Sequence, residues 1–329
     1  MRGQEELVRR LALKRRRRLG TMSEEAYAEL ELAVRDNPTH FVDDAQEEAF
    51  ALVAQALVEL EANQHDDDLL DDQQYLEQRE KRLAKLGATC QQALQIDEHC
   101  IDAALLLALS KDLSPNDMVG SLVELERQSV EREGAVTTTV AGDAWTNVFA
   151  RPLLRLHDAV ARYCLCTTRY DQARKRSIDL LAKAPLDTLG ASLTCALAMA
   201  RLEDEEGFYW LEGQEGHRGN AWFHLGRAIL LYKLGRMPAA RRALGGYDRL
   251  CTAGAYVLLQ PVFVDTYLPD RPAFLAQSFS ETVLAVHEAD PIISDIPDFA
   301  AWACDQPGFL FSAQEYARQN GMEWRDWNE

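Results

Sequence analysis

From Ser23 onward the chain alternates apolar and polar positions with the three- and four-residue spacing of amphipathic helices. A first helix is predicted from Ser23, which reads as an N-cap followed by Glu24, Glu25 and Glu29 near the positive end of the helix dipole, and Asn37-Pro38 ends it. A second runs from about Asp43 to Ala62, with Phe50, Val53, Ala54, Leu57 and Val58 on one face. Helices resume over Gln73–Gln95 and Ile101–Ser110, and Ser114-Pro115 opens another that ends by Gly134. Residues 135–142 are poor in helix formers and flanked by glycine, the signature of a linker.

Between Leu154 and Tyr247 the helical pattern repeats. Small residues recur at Ala161, Cys195 and Ala228, spaced by 34 and then 33, and a second set at Ala173, Gly207 and Ala240 has the same two spacings. A period near 34 is that of a helix–turn–helix unit too small to bury its own apolar face, which therefore stacks on its neighbours. After the array, prolines at 261, 269, 272, 291 and 297 cut the helices short and the period fades, as in a terminal capping region. The last 30 residues hold Trp302, Phe309, Phe311, Tyr316, Trp324 and Trp327, which either fill the final groove or anchor a partner. The domain reading is residues 1–20 as a basic arm, 21–134 as a helical region, 135–143 as a linker, 144–253 as the array and 254–329 as a helical cap.

Arg169-Tyr170-Asp171-Gln172-Ala173, Leu234-Gly235-Arg236-Met237-Pro238-Ala239-Ala240 and Pro185 resemble the turn, second-helix and closing-proline signature of the tetratricopeptide repeat family. The resemblance covers roughly 95 residues. It departs from the family at Trp222, two places early, and in the middle unit, which keeps only its small residues and Leu211. More faintly, the run from His157 through Leu186 to Tyr247-Asp248 is similar to the family named for suppression of tumorigenicity seven. The tetratricopeptide resemblance implies an all-α, right-handed α-solenoid whose first helices line a concave groove. Its inward positions fall on Arg155, Asp158 and Arg162, on Ser192 and Met199, and on Trp222, Leu225, Ile229, Tyr232 and Lys233. Arg155, Arg162 and Lys233 would favour an acidic peptide, and Trp222 and Tyr232 would supply exposed apolar area. The alternative is that the two aromatics pack under the next helix. The family's two-carboxylate clamp is absent, since Asp158 and Leu225 occupy two of its positions.

Charge separates the first twenty residues from the rest. They hold eight Lys or Arg against two Glu, net +6, which leaves −24 for the remainder of a chain whose total is −18. An acidic body repels nucleic acid and anionic membrane. Any such contact would come through the arm, above all Arg15, Arg16, Arg17 and Arg18, which with Leu7, Val8, Leu11 and Leu19 interleaved could form a short basic amphipathic helix; the competing reading is a solvated, frayed terminus. Seven scattered cysteines form no secreted-type framework, and with no apolar run long enough to span a bilayer and no secretory signal the expected place is the cytoplasm.

Catalytic chemistry finds no foothold in the sequence. The acidic run His65–Asp72 lacks the alternating Asp-x-Asp-x-Asn-Gly turn of a calcium loop and reads as a solvated turn. Cys164 and Cys166, with His157 upstream, point about 200° apart on a helix, so they cannot share one metal ion. His287-Glu288 lacks the second histidine of a zinc helix, and Gly213, Gly216 and Gly219 read as a connection between helices. The expectation is a scaffold or adaptor that binds a protein segment in its groove, with no enzyme activity and no cofactor. An adaptor docking through its basic arm and an enzyme with an unrecognised site are the alternatives.

Overall fold

The computed structural model describes residues 2–64, 67, 70–111, 113–134, 142–214, 219–265 and 267–325. Among them every regular element is helical, and no helix is long and apolar enough to cross a membrane. The chain divides into two compact units, residues 1–157 and 158–329, so the division falls inside a helix and not in the expected linker, most of which lies outside the described residues.

The first unit holds α1 (Arg2–Leu19), α2 (Glu24–Asp36), α3 (Ala45–Asn63), α4 (Asp72–Ile96), α5 (Ile101–Leu109), α6 (Pro115–Glu133) and the start of α7 (Arg151–Cys166). Local chemistry sets their ends. Ser23 Oγ accepts from Ala26 N at 3.2 Å, as predicted for an N-cap, and Asp71 and Gln74 form a reciprocal capping box at α4. Ser114 caps α6 with Pro115 in its first turn, and Gly134 ends it at φ 80°. Of the predicted acidic turn, His65, Asp66, Asp68 and Leu69 lie outside the described residues; Asp67 takes both terminal nitrogens of Arg82, the second at 2.9 Å.

The N-terminal arm is α1, the basic amphipathic helix that the interleaved leucines suggest and not a frayed end: Leu7, Val8, Leu11 and Ala12 form a buried cluster with Val34, Phe50 and Ala54 from α2 and α3. Spacing of three and four puts those residues on one stripe, and burying a stripe holds a helix that propensity alone would leave marginal. Its polar face is matched to acidic residues of the same unit. Arg15 pairs with Asp43 at 3.1 Å, Arg16 with Glu24 at 2.7 Å, and Lys14 with Asp44 at 2.6 Å. Arg18 also pairs with Asp43, and Arg17 lies over the Phe149 ring, 4.6 Å from its centroid.

The second unit holds the rest of α7, then α8 (Tyr170–Lys183), α9 (Ala191–Leu202), α10 (Glu205–Glu212), α11 (Ala221–Lys233), α12 (Met237–Leu250), α13 (Gly254–Leu259), α14 (Phe279–Ser294), α15 (Asp298–Cys304) and α16 (Phe309–Asn320). Helix α9 packs on α8, α10 and α11, and α11 packs on α12. Of the six periodic small residues, Ala161, Cys195, Ala228, Ala173 and Ala240 are fully buried, where a larger side chain would push neighbouring helices apart, and Gly207 is half-buried. The region after the array does more than cover its end: α14 lies against both α9 and α11.

Candidate binding cleft

On the first helices of the second unit, the positions expected to line an open groove are covered by the chain's own later residues. Glu288 of α14 is the hub of this cover. Its carboxylate accepts from Trp222 Nε1 at 2.7 Å, from Arg271 Nε at 2.9 Å and from the Tyr267 hydroxyl. Burial by itself pushes the Glu288 carboxyl up, but Arg271 and the three donors outweigh it and hold the group below its ordinary value. Arg162 donates to Asp158 at 2.8 Å and to the carbonyl of Pro269 at 2.8 Å, and its guanidinium lies over the Tyr267 ring. Burial raises the Asp158 carboxyl, whose Oδ1 has no hydrogen-bond partner. Residues 267–271 thus bond to Arg162 of α7, to the start of α9 and to Glu288 of α14.

This cover corrects the expected exposure of the groove residues. Arg162, Asp158, Met199 and Trp222 are buried, Trp222 being only 3% exposed. Tyr232 is half-buried against Trp302 and Phe299, with ring centroids 4.8 and 5.3 Å away. Lys233 pairs with Glu203 at 3.0 Å. In the first unit Arg155 is buried too, bonded to Asp102 at 3.1 Å and to Glu6, which also takes Arg10 at 2.6 Å. The three cations expected to favour an acidic partner are therefore matched by carboxylates of the chain itself. Phe309 of the C-terminal aromatics is core, Tyr316 stacks on Phe279, Phe311 stays exposed, and Trp327 lies outside the described residues.

The second unit holds a cleft of about 370 Å3 between the starts of α9 and α11 and the segment 271–274. That volume is within the ~300–1,000 Å3 range of ligand sites. Trp222 and Arg271 form its floor, while Leu186, 74% exposed, and Phe274, 41% exposed, stand at its edge. Arg271 is fixed there by donating from Nη1 to the carbonyls of Leu189 and Gly190, at 2.8 and 2.7 Å, and from Nη2 to Thr194 Oγ1 at 2.9 Å. Gly190 is required: its φ is 72°, and a Cβ there would stand 2.5 Å from Arg271 Nη1. Two carboxylates also border the cleft. Asp187 accepts from Ser192 N at 3.2 Å, and Glu281 Oε2 accepts from Ala221 N at 3.3 Å and Gln277 N at 2.5 Å.

Among the described residues no group of three or more His, Cys, Asp or Glu is placed to hold a metal ion. Cys164 is fully buried in helix packing, as a small apolar residue would be. Sequence reasoning missed Glu288, read only as an incomplete zinc motif, and it missed Arg271 and Glu281 because they lie outside the repeat. A hint was available: a glutamate inside the apolar helical stretch 283–292 needs a buried partner. Searches against family models, curated proteins and solved structures find no match to this chain.

Proposed function

We propose that this protein is a non-catalytic binding module of tetratricopeptide-like helical hairpins, and that it holds a segment of a partner protein at the cleft edged by Leu186 and Phe274. The buried small residues at 34- and 33-residue spacing support the repeat reading. The observation that carries the function is the cleft itself. It is bordered by exposed apolar side chains next to fixed polar groups, whereas the rest of the inward face is covered by residues 267–271 and α14. Fixed walls lower the ordering cost of binding.

An acidic partner is not favoured, since Arg155, Arg162 and Lys233 already have carboxylate partners. Docking on nucleic acid or lipid through Arg15–Arg18 likewise competes with the ion pairs of α1. The test is selection of displayed random peptides on the purified full chain. Selected peptides should bind wild type and lose most of their signal on a Leu186→Asp/Phe274→Asp variant of unchanged circular dichroism. Equal binding to that variant would remove the cleft from the reading.

A further inference from the structure

Glu281 is out of balance with its surroundings. It is 6% exposed, and its two hydrogen bonds both end on Oε2. Oε1 accepts nothing among the described residues yet is not sealed from solvent, and the residue lines the cleft. Among the described residues no cation pairs with it: burial pushes the carboxyl above its ordinary value, and the two backbone amides oppose that. Buried carboxylates are rarely left without a countercharge, because desolvation costs more than two amide bonds return.

The cleft's other charges decide what such a site accepts. Arg271 is positive, but its Nε is bonded to Glu288, both Nη1 hydrogens go to carbonyls, and Nη2 donates to Thr194. The starts of α9 and α11 would attract an anion, but Asp187 and Glu281 already accept from their amides. An acidic ligand therefore meets two fixed carboxylates and a neutralised arginine. A cation on an apolar stem meets the reverse: a bare carboxylate oxygen at the end of walls made by Leu186, Trp222 and Phe274.

We infer that the cleft takes a lysine or arginine side chain of the docked segment, its cationic head donating to Glu281 Oε1 and its alkyl stem lying between Leu186, Trp222 and Phe274. The inference rests on the cleft being the docking site, and it adds the chemistry of the residue that enters. A bond to a buried charged acceptor is worth at least a tenfold change in affinity.

The probes are N-acetyl-lysine methylamide, its uncharged norleucine analogue and its glutamate analogue. Each is titrated into the full chain while the Trp222 indole N–H resonance, assigned with Trp222→Phe, is followed. The lysine amide should displace that resonance with at least tenfold higher affinity than norleucine, and glutamate should not displace it. Glu281→Gln, which keeps an acceptor for Ala221 and Gln277, should lower the lysine amide's affinity at least tenfold and leave norleucine's unchanged. Equal binding of lysine and norleucine, preference for glutamate, or no displacement by any amide overturns the inference. The wild-type series decides this even if the Gln variant folds poorly. Displayed peptides that remain sensitive to Leu186→Asp/Phe274→Asp while lacking basic residues would sink the charge preference and leave the docking site standing.

Discussion

Replacing Glu288 with alanine removes the acceptor on which three buried donors converge. Arg271 Nε, Tyr267 Oη and Trp222 Nε1 would each face an apolar interior, and the Arg271 charge would lose its partner. Breaking a buried pair from one side costs about 3–5 kcal/mol, and each orphaned neutral donor adds up to about 1–3 kcal/mol less whatever water enters the new space. These terms overlap, so the expected loss is about 4–6 kcal/mol. For a unit of this size each kcal/mol shifts the midpoint by about 2–4 °C, giving a drop of about 8–24 °C. Urea unfolding followed by tryptophan fluorescence reads it. The same logic fixes the sign of a cycle: Arg271→Met added to Glu288→Ala should restore part of the loss, because no bare charge then remains. A pH series adds a check. The folded Glu288 carboxyl lies below its unfolded value, so its contribution is present above about pH 4.3 and disappears as pH falls through the folded value. A Glu288→Ala loss under about 1 kcal/mol, or simple additivity of the two substitutions, would refute the hub.

Two further outcomes concern the first unit. Burial alone would raise Glu6, but Arg155, Arg10 and Arg151 bring it from 4.5 down to about 2. Its stabilisation, about 3 kcal/mol, is therefore complete above the unfolded value and lost between about pH 5 and pH 2, so Glu6→Gln should flatten that acid limb of the unfolding curve. Leu11→Ala should cost about 2–5 kcal/mol by chemical denaturation, as for a core leucine; a neutral result would return residues 1–20 to the status of a free arm.

Helix positions were legible because local rules suffice for them. Ser23 and Ser114 carry their meaning within one or two turns, and the small residues at positions 161, 195 and 228 carry theirs through a fixed spacing. Exposure was not legible, because it depends on what arrives from far along the chain. The periodic face containing Trp222 is the same whether an outside peptide or α14 covers it, and 66 residues separate Trp222 from Glu288. The docking of the basic arm went unseen for a related reason. Five consecutive cations, Lys14 to Arg18, look like a solvated tail until Asp43 and Asp44, about thirty residues away, are seen to meet them. Glu281 could not be singled out beforehand, since a helix-start glutamate after Ser278 is ordinary capping chemistry.

The stretch from Tyr267 to Arg271 behaves as a resident guest among the helices of the second unit. A fragment stopped after Leu250 would not be a smaller version of this protein. Its indole at 222 would lack an acceptor, its guanidinium at 162 would lose the Pro269 carbonyl, and the greasy flank of α9 and α11 would face water. Such a truncation invites self-association, so the folded body needs the chain through Asn320, whose last helices cover Tyr232 and Phe279.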